Sequence, residues 1–142
     1  MEFMEAAIEQ ALKSDGDIPV GAVIVKDGTI IAMACNTREK DNDVTSHAEI
    51  IAIRAAEKLL NNWRLDGCEL YVTLEPCPMC AWAILQSRIK TVYFGSYDIN
   101  YGALGSSVDL RKLANSKMNV YGGICEDKCN EILESFFKTL RG

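Results

Sequence analysis

Residues 69–80 read ELYVTLEPCPMC, and the fold is decided by how this stretch is read. Glu69 to Thr73 is rich in β-branched and aromatic residues and reads as a strand. Met79 to Ser87 reads as a helix, and Cys77 and Cys80 stand three apart where that helix opens, with Pro76 directly before the first of them. Thiols at this spacing in a first helical turn can point both sulfurs at one cation. The unpaired N–H groups of the helix start favour the thiolate that metal binding needs.

Upstream, the pattern is of the same kind. HAEIIAIRAAEKLL, residues 47–60, is a helix that opens on His47, the only histidine of the chain, and Asn61-Asn62 end it. Before it, Val20 to Val25 and Thr29 to Cys35 are two β-rich runs around Lys26-Asp27-Gly28, where Asp-Gly signals a tight hairpin. Residues 2–14 place Phe3, Ala7, Ile8, Ala11 and Leu12 at helical spacing, and Asp15-Gly16-Asp17 end that helix. Asn36 to Ser46 is polar and irregular. Downstream come a strand at Thr91 to Phe94, a loop from Gly95 to Ser107, a short helix at Val108 to Ala114, a strand at Met118 to Tyr121 and a closing helix at Glu126 to Leu140. The order α-β-β-α-β-α-β-α-β-α implies an α/β protein: a mixed five-stranded sheet, hairpin first and crossover units after, with helices on both faces in three α/β/α layers.

The chain has 142 residues, 49% of them hydrophobic and 25% charged, which excludes intrinsic disorder and fits a single domain over residues 1–142. Fifteen Lys and Arg against twenty Asp and Glu give a net charge of −5. That balance argues against a sequence-blind coat of nucleic acid, though not against a small basic face. No run approaches the roughly 20 apolar residues of a membrane helix, and the acidic start MEFME is unlike a signal peptide. We therefore expect a cytoplasmic protein without membrane association, whose six cysteines are thiols or metal ligands rather than bridges.

One imidazole and two thiolates are borderline-soft ligands that suit Zn²⁺, so His47, Cys77 and Cys80 are the candidate ligands of one zinc ion per chain. Three protein ligands leave a fourth tetrahedral position for water, the arrangement of a catalytic site, and zinc lowers the pKa of such a water toward about 7. A nucleophile made this way needs a proton carrier, and Glu49, two residues from His47, is placed to be one without ligating. The joint pattern H-x-E…P-C-x-x-C is the signature of the zinc nucleobase deaminases.

The likeness extends over nearly the whole chain. Ile18-Pro19-Val20-Gly21-Ala22-Val23, Asn36, Thr45-Ser46-His47-Ala48-Glu49, Trp63-Arg64-Leu65, Leu70 to Cys77, Ser87-Arg88-Ile89 and Gly102-Ala103-Leu104-Gly105-Ser106 resemble the bacterial tRNA-specific adenosine deaminases. The resemblance implies a cytidine-deaminase-like fold, a homodimer, and conversion of the wobble adenosine of a tRNA anticodon to inosine. It also implies zinc at His47, Cys77 and Cys80 and proton transfer by Glu49. Carried over in the same way, Asn36 hydrogen-bonds the flipped purine beside the Ala48 backbone N–H, and Ile18 and Val20 form part of the apolar wall of the base pocket. Asp98 lies near the backbone of the substrate loop, while Phe137, Lys138 and Arg141 meet the anticodon stem-loop. Trp82 and Asn100 depart from the pattern, standing where the family has a small residue and a lysine.

Read as residues alone, several of these positions stay open. Ile18 and Val20 suit an ordinary core, Asn36 a turn after a strand, Phe137 a helix packing face, and Lys138 and Arg141 a solvated helix end. Cys35, Cys68, Cys125 and Cys129 read as small buried or half-buried thiols. Two competing functions follow. One keeps the zinc chemistry and acts on a free nucleobase or nucleoside of guanine, cytosine or adenosine type. The other is an inert RNA-binding subunit that keeps zinc for stability, and the intact Glu49 speaks against it.

Overall fold

The computed structural model describes residues 2–141, the side chain of Arg141 excepted. Five strands form one sheet in the order β2-β1-β3-β4-β5: β1 Gly21–Lys26, β2 Thr29–Cys35, β3 Glu69–Leu74, β4 Thr91–Ser96 and β5 Asn119–Tyr121. β1 pairs antiparallel with both β2 and β3, whereas β3–β4 and β4–β5 are parallel. The helices are α1 Glu2–Ala11, α2 Arg38–Asp41, α3 Ala48–Leu60, α4 Pro78–Gln86, α5 Leu110–Ala114 and α6 Glu126–Arg141. The expected α/β class, mixed five-stranded sheet and α/β/α layering are all present.

Strand alternation decides which residue meets which layer. Ala22 and Ile24 of β1, Leu70 and Val72 of β3, and Val92 and Phe94 of β4 pack with Ala48, Ala52, Ala56, Ala81 and Ile84 of α3 and α4. Val23, Val25, Tyr71 and Tyr93 face the other way, onto Met4 and Ala7 of α1 and Cys129 of α6. Small residues set how closely the layers approach. A Cβ at Gly21 would overlap the Ala7 carbonyl oxygen, so α1 lies on β1 only because that position is glycine.

Differences from the sequence reading are local. The first helix stops at Ala11 because Lys13, Ser14 and Asp17 already make tight turns through their N–H groups. The polar 36–46 segment contains the short α2, closed by Asn42 in the left-handed region and by a Thr37 hydroxyl bond to Asp41. The helix expected from Val108 begins only at Leu110, because Asp109 is its cap and accepts the Arg111 N–H. Among the described residues no helix is long and apolar enough to cross a membrane.

The antiparallel hairpin brings the start of β1 and the end of β2 to the edge of the sheet where β3 and β4 also end. α3 and α4 both begin at that edge. Asn36, His47, Glu49, Cys77 and Cys80 converge there.

Candidate active site

His47 and Cys77 are the residues from which α3 and α4 start, both in extended backbone, and Pro78 fills the first helical position where a missing N–H costs nothing. The ligand atoms of His47, Cys77 and Cys80 all lie within 4.8 Å of one another. His47 Nδ1 is 3.8 Å from Cys77 Sγ and 3.5 Å from Cys80 Sγ. Tetrahedral zinc, with Zn–S of about 2.3 Å and Zn–N of about 2.0–2.1 Å, would set those separations at about 3.5–3.6 Å. The donor set therefore fits a zinc ion.

The protonation of the sulfurs points the same way. Cys80 donates its S–H to Cys77, which with the His47 side chain and the Cys80 backbone N–H outweighs burial and holds the Cys77 thiol down to about 4. The same bond, with burial, pushes the Cys80 thiol far up. His47 is raised, first by its bond to Cys77, against the effect of burial. Two sulfurs sharing one proton are both satisfied as thiolates only by a cation set between them.

Glu49 is the second residue of α3 and is only 4% exposed. Burial pushes its carboxyl up to about 7 and the Cys77 charge adds to the rise, while its own backbone N–H, His47 and Cys80 oppose it. A carboxyl poised near neutrality can both take and give a proton, as general acid–base work requires.

Beside these groups lies a cavity of about 240 Å³ lined by Ile18, Val20, Asn36, Arg38, His47, Glu49, Leu74, Glu75, Cys77, Asp98 and Tyr101. It is smaller than the roughly 300–1,000 Å³ of drug-sized sites, the scale of a single heterocycle. Ile18, Val20, Asn36 and Asp98 are thus brought together with the candidate metal ligands and Glu49. Asn36 is fixed from both sides: its Nδ2 donates to the Ile18 carbonyl at 3.0 Å and its Oδ1 accepts the Ala48 N–H at 2.8 Å. The Ala48 N–H is thereby engaged, so Ala48 orients Asn36, and Asn36 is the polar side chain this pair offers to the cavity. Phe137 and Lys138 lie on exposed turns of α6 and do not line the cavity; Phe137 packs edge-on against Phe136 at 5.3 Å. The Arg141 side chain falls outside the described residues.

The profile of the cytidine and deoxycytidylate deaminase zinc-binding region matches residues 1–96. The chain is 43% identical over 143 residues to the tRNA-specific adenosine deaminase of Bacillus subtilis, covering 98% of this chain and 89% of that protein. With the Agrobacterium fabrum protein of the same name the identity is 44%, covering 98% and 94%. The chain belongs to the tRNA-specific adenosine deaminase family. Its fold agrees with a solved structure from a study of A-to-I editing by tRNA:A34 deaminases at the wobble position of transfer RNA, with a TM-score of 0.86, 42% identity and coverage of 93% and 99%. It also resembles a guanine deaminase from Bacillus subtilis, with a TM-score of 0.65 and 45% identity over 68% of this chain and 63% of that one.

Within the family frame, four residues shape the cavity without having been singled out for it in the sequence. Glu75, 1% exposed, accepts the Asp98, Leu104 and Ser106 N–H groups and the Ser106 hydroxyl, anchoring the 98–106 loop. Gly102 lets that loop close over it, since a Cβ there would overlap the Glu75 carboxyl. Tyr101 lines the cavity from the same loop. Arg38 reaches the cavity from α2, held by Asp17. The two departures from the family pattern are exposed. Trp82 stands outward from α4 and Asn100 lies in the loop, so neither intrudes on the cavity.

Proposed function

We propose that this enzyme deaminates the wobble adenosine of a tRNA anticodon loop to inosine, using one zinc ion per chain held by His47, Cys77 and Cys80. The observation that carries the reading is the placement of a buried, near-neutral Glu49 and a fixed Asn36 against a three-ligand centre, in a cavity of one-base size. Near-full-length relatives named for adenosine deamination in tRNA support the choice of substrate.

Zinc, when bound, would supply the Lewis acidity that makes water a usable nucleophile near pH 7. The remaining work falls to the chain. Glu49 takes a proton from the attacking water and delivers it to N1 of the base as oxygen adds to C6. It then carries the second proton of that water to the exocyclic amine, so one water is consumed and one ammonia leaves. Asn36, oriented by Ile18 and Ala48, hydrogen-bonds the purine, and Ile18 and Val20 hold its face. Asp98 lies at the mouth, near the substrate backbone. Phe137, Lys138 and Arg141 meet the stem of the RNA outside the cavity, where local cations can act despite a net charge of −5. The protein works as a single deaminase domain, as a homodimer, in the cytoplasm.

A second reading, deamination of free guanine, is favoured by the likeness to a guanine deaminase and by the acidic balance of the chain. Steady-state rates on an anticodon stem-loop with wobble adenosine, on free adenosine and on free guanine separate the two. The tRNA reading expects kcat/KM to be far higher for the stem-loop, because binding of the splayed loop is used at the reacting centre. Equal or better turnover of free guanine would overturn it.

A further inference from the structure

Arg38 is held in a way that deamination chemistry does not call for. Its Nε and Nη2 both donate to Asp17 Oδ1, at 3.1 and 2.8 Å. Asp17, 3% exposed, is fixed in turn by the Ile18 N–H at 2.9 Å and the Glu39 N–H at 3.2 Å. An arginine has five N–H donors in a planar fork. Asp17 takes two of them, and the others have no acceptor among the described residues. The side chain is 34% exposed, so these donors are open to solvent.

The position of this fork gives it a use. Of the described residues lining the cavity, Arg38 alone is an arginine or lysine. Asn36 and Glu49 are almost fully buried, whereas Tyr101 is exposed and Arg38 and Asp98 are half-buried polar residues of the lining. A nucleotide that enters base first, toward Asn36 and Glu49, leaves its sugar and flanking phosphates on the solvent side of the cavity, where the half-exposed Arg38 fork is available. Asp98 repels a phosphate there; Arg38 attracts one.

We propose that Arg38 is a phosphodiester subsite: its guanidinium, pre-set by Asp17, binds a non-bridging oxygen of a phosphate flanking the flipped nucleotide, and so selects a nucleotide within a chain over a free nucleoside. This rests on the tRNA reading above and assigns part of that selectivity to one side chain. The buried Asp17 carboxylate removes the search over rotamers that an exposed arginine would face on binding. A planar fork can serve Asp17 with one edge and a phosphate with the other; a lysine point charge cannot.

The test uses the full-length enzyme, anticodon stem-loops with wobble adenosine, and stem-loops in which one phosphate beside that adenosine is a neutral methylphosphonate. Arg38→Gln should lower kcat/KM for the stem-loop about ten- to a hundred-fold more than for free adenosine, with the loss in KM rather than kcat. Arg38→Lys should recover only part of it. In the wild type, one methylphosphonate position should raise KM by a similar factor; in Arg38→Gln the same substitution should add less than about threefold, since the pair are coupled. If Arg38→Gln depresses both substrates equally, or the methylphosphonate penalty persists in full, the residue is only structural and the subsite is refuted. A wild type with no preference for the stem-loop removes the tRNA reading itself, and the subsite with it; a preference that survives Arg38→Gln undiminished removes the subsite alone.

Discussion

Replacing Glu75 by glutamine tests how the cavity wall is held. The carboxylate is almost fully buried and accepts two donors on each oxygen: the Asp98 N–H and Ser106 hydroxyl on Oε1, and the Leu104 and Ser106 N–H groups on Oε2. Glutamine keeps the shape but turns one of those oxygens into an NH₂. Placed at Oε2, the NH₂ faces two N–H donors; placed at Oε1, it faces only the Asp98 N–H, because the Ser106 hydroxyl can turn to accept. The better orientation therefore strands one backbone donor. Stranding a buried donor costs about 1–3 kcal/mol. One such loss is already a sizeable share of a domain stability of roughly 5–15 kcal/mol. At roughly 3–4 °C per kcal/mol for a chain of this length, Tm should fall by about 3–12 °C. Thermal melts followed by circular dichroism would measure it. Ser106→Ala serves as the mild control, because it deletes one hydroxyl bond and strands no backbone group; it should cost about 1 kcal/mol. A Glu75→Gln protein melting within 2 °C of the parent would refute the reasoning, showing that the 98–106 loop is held by something other than this carboxylate.

Two further outcomes follow from the same geometry. Zinc content, measured by atomic emission, should be close to one per chain and drop sharply in Cys80→Ser, which loses one of three ligands that meet only in the folded chain; full occupancy in the mutant would show the ligand to be misassigned. For pH, burial pushes the Asp17 carboxyl up, but bonds from Arg38, Glu39 and Ile18 outweigh it and hold it below its ordinary 3.8. A depressed carboxylate contributes its stability in full above that value and loses it as pH falls through the lower folded pKa. The parent should therefore lose Tm more steeply below pH 4 than Asp17→Asn, and parallel curves would contradict the assignment.

How much of this was legible before the structure follows from what leaves a local pattern. The strands declared themselves by apolar runs and the Asp27-Gly28 turn, and α3 and α4 by periodicity. His47, Glu49, Cys77 and Cys80 were readable because metal chemistry places its ligands at helix starts, a position that sequence marks well. The Asp17–Arg38 pair was not, because its partners lie 21 positions apart in irregular segments with no period to betray them. Glu75 gave no hint of its loop for the same reason: three of its four bonds are to backbone N–H groups, which any residue could offer. The short α2, REKD, has no apolar face at all and is set by its capping contacts and by the bonds of Arg38 and Glu39 to Asp17.

The central claim is that the buried carboxyl of Glu49, beside a His-Cys-Cys centre, drives deamination of the wobble adenosine. Incubating total tRNA with the parent and with Glu49→Gln, then measuring inosine at the wobble position by mass spectrometry alongside zinc content, tests it most directly. General acid–base steps are worth about 10²–10⁴-fold each, and Glu49 serves more than one, so the mutant should keep its zinc and its fold while forming inosine at least about a hundred-fold more slowly. Inosine formed by Glu49→Gln at near the parent's rate, or no inosine formed by the zinc-loaded parent, would contradict the account.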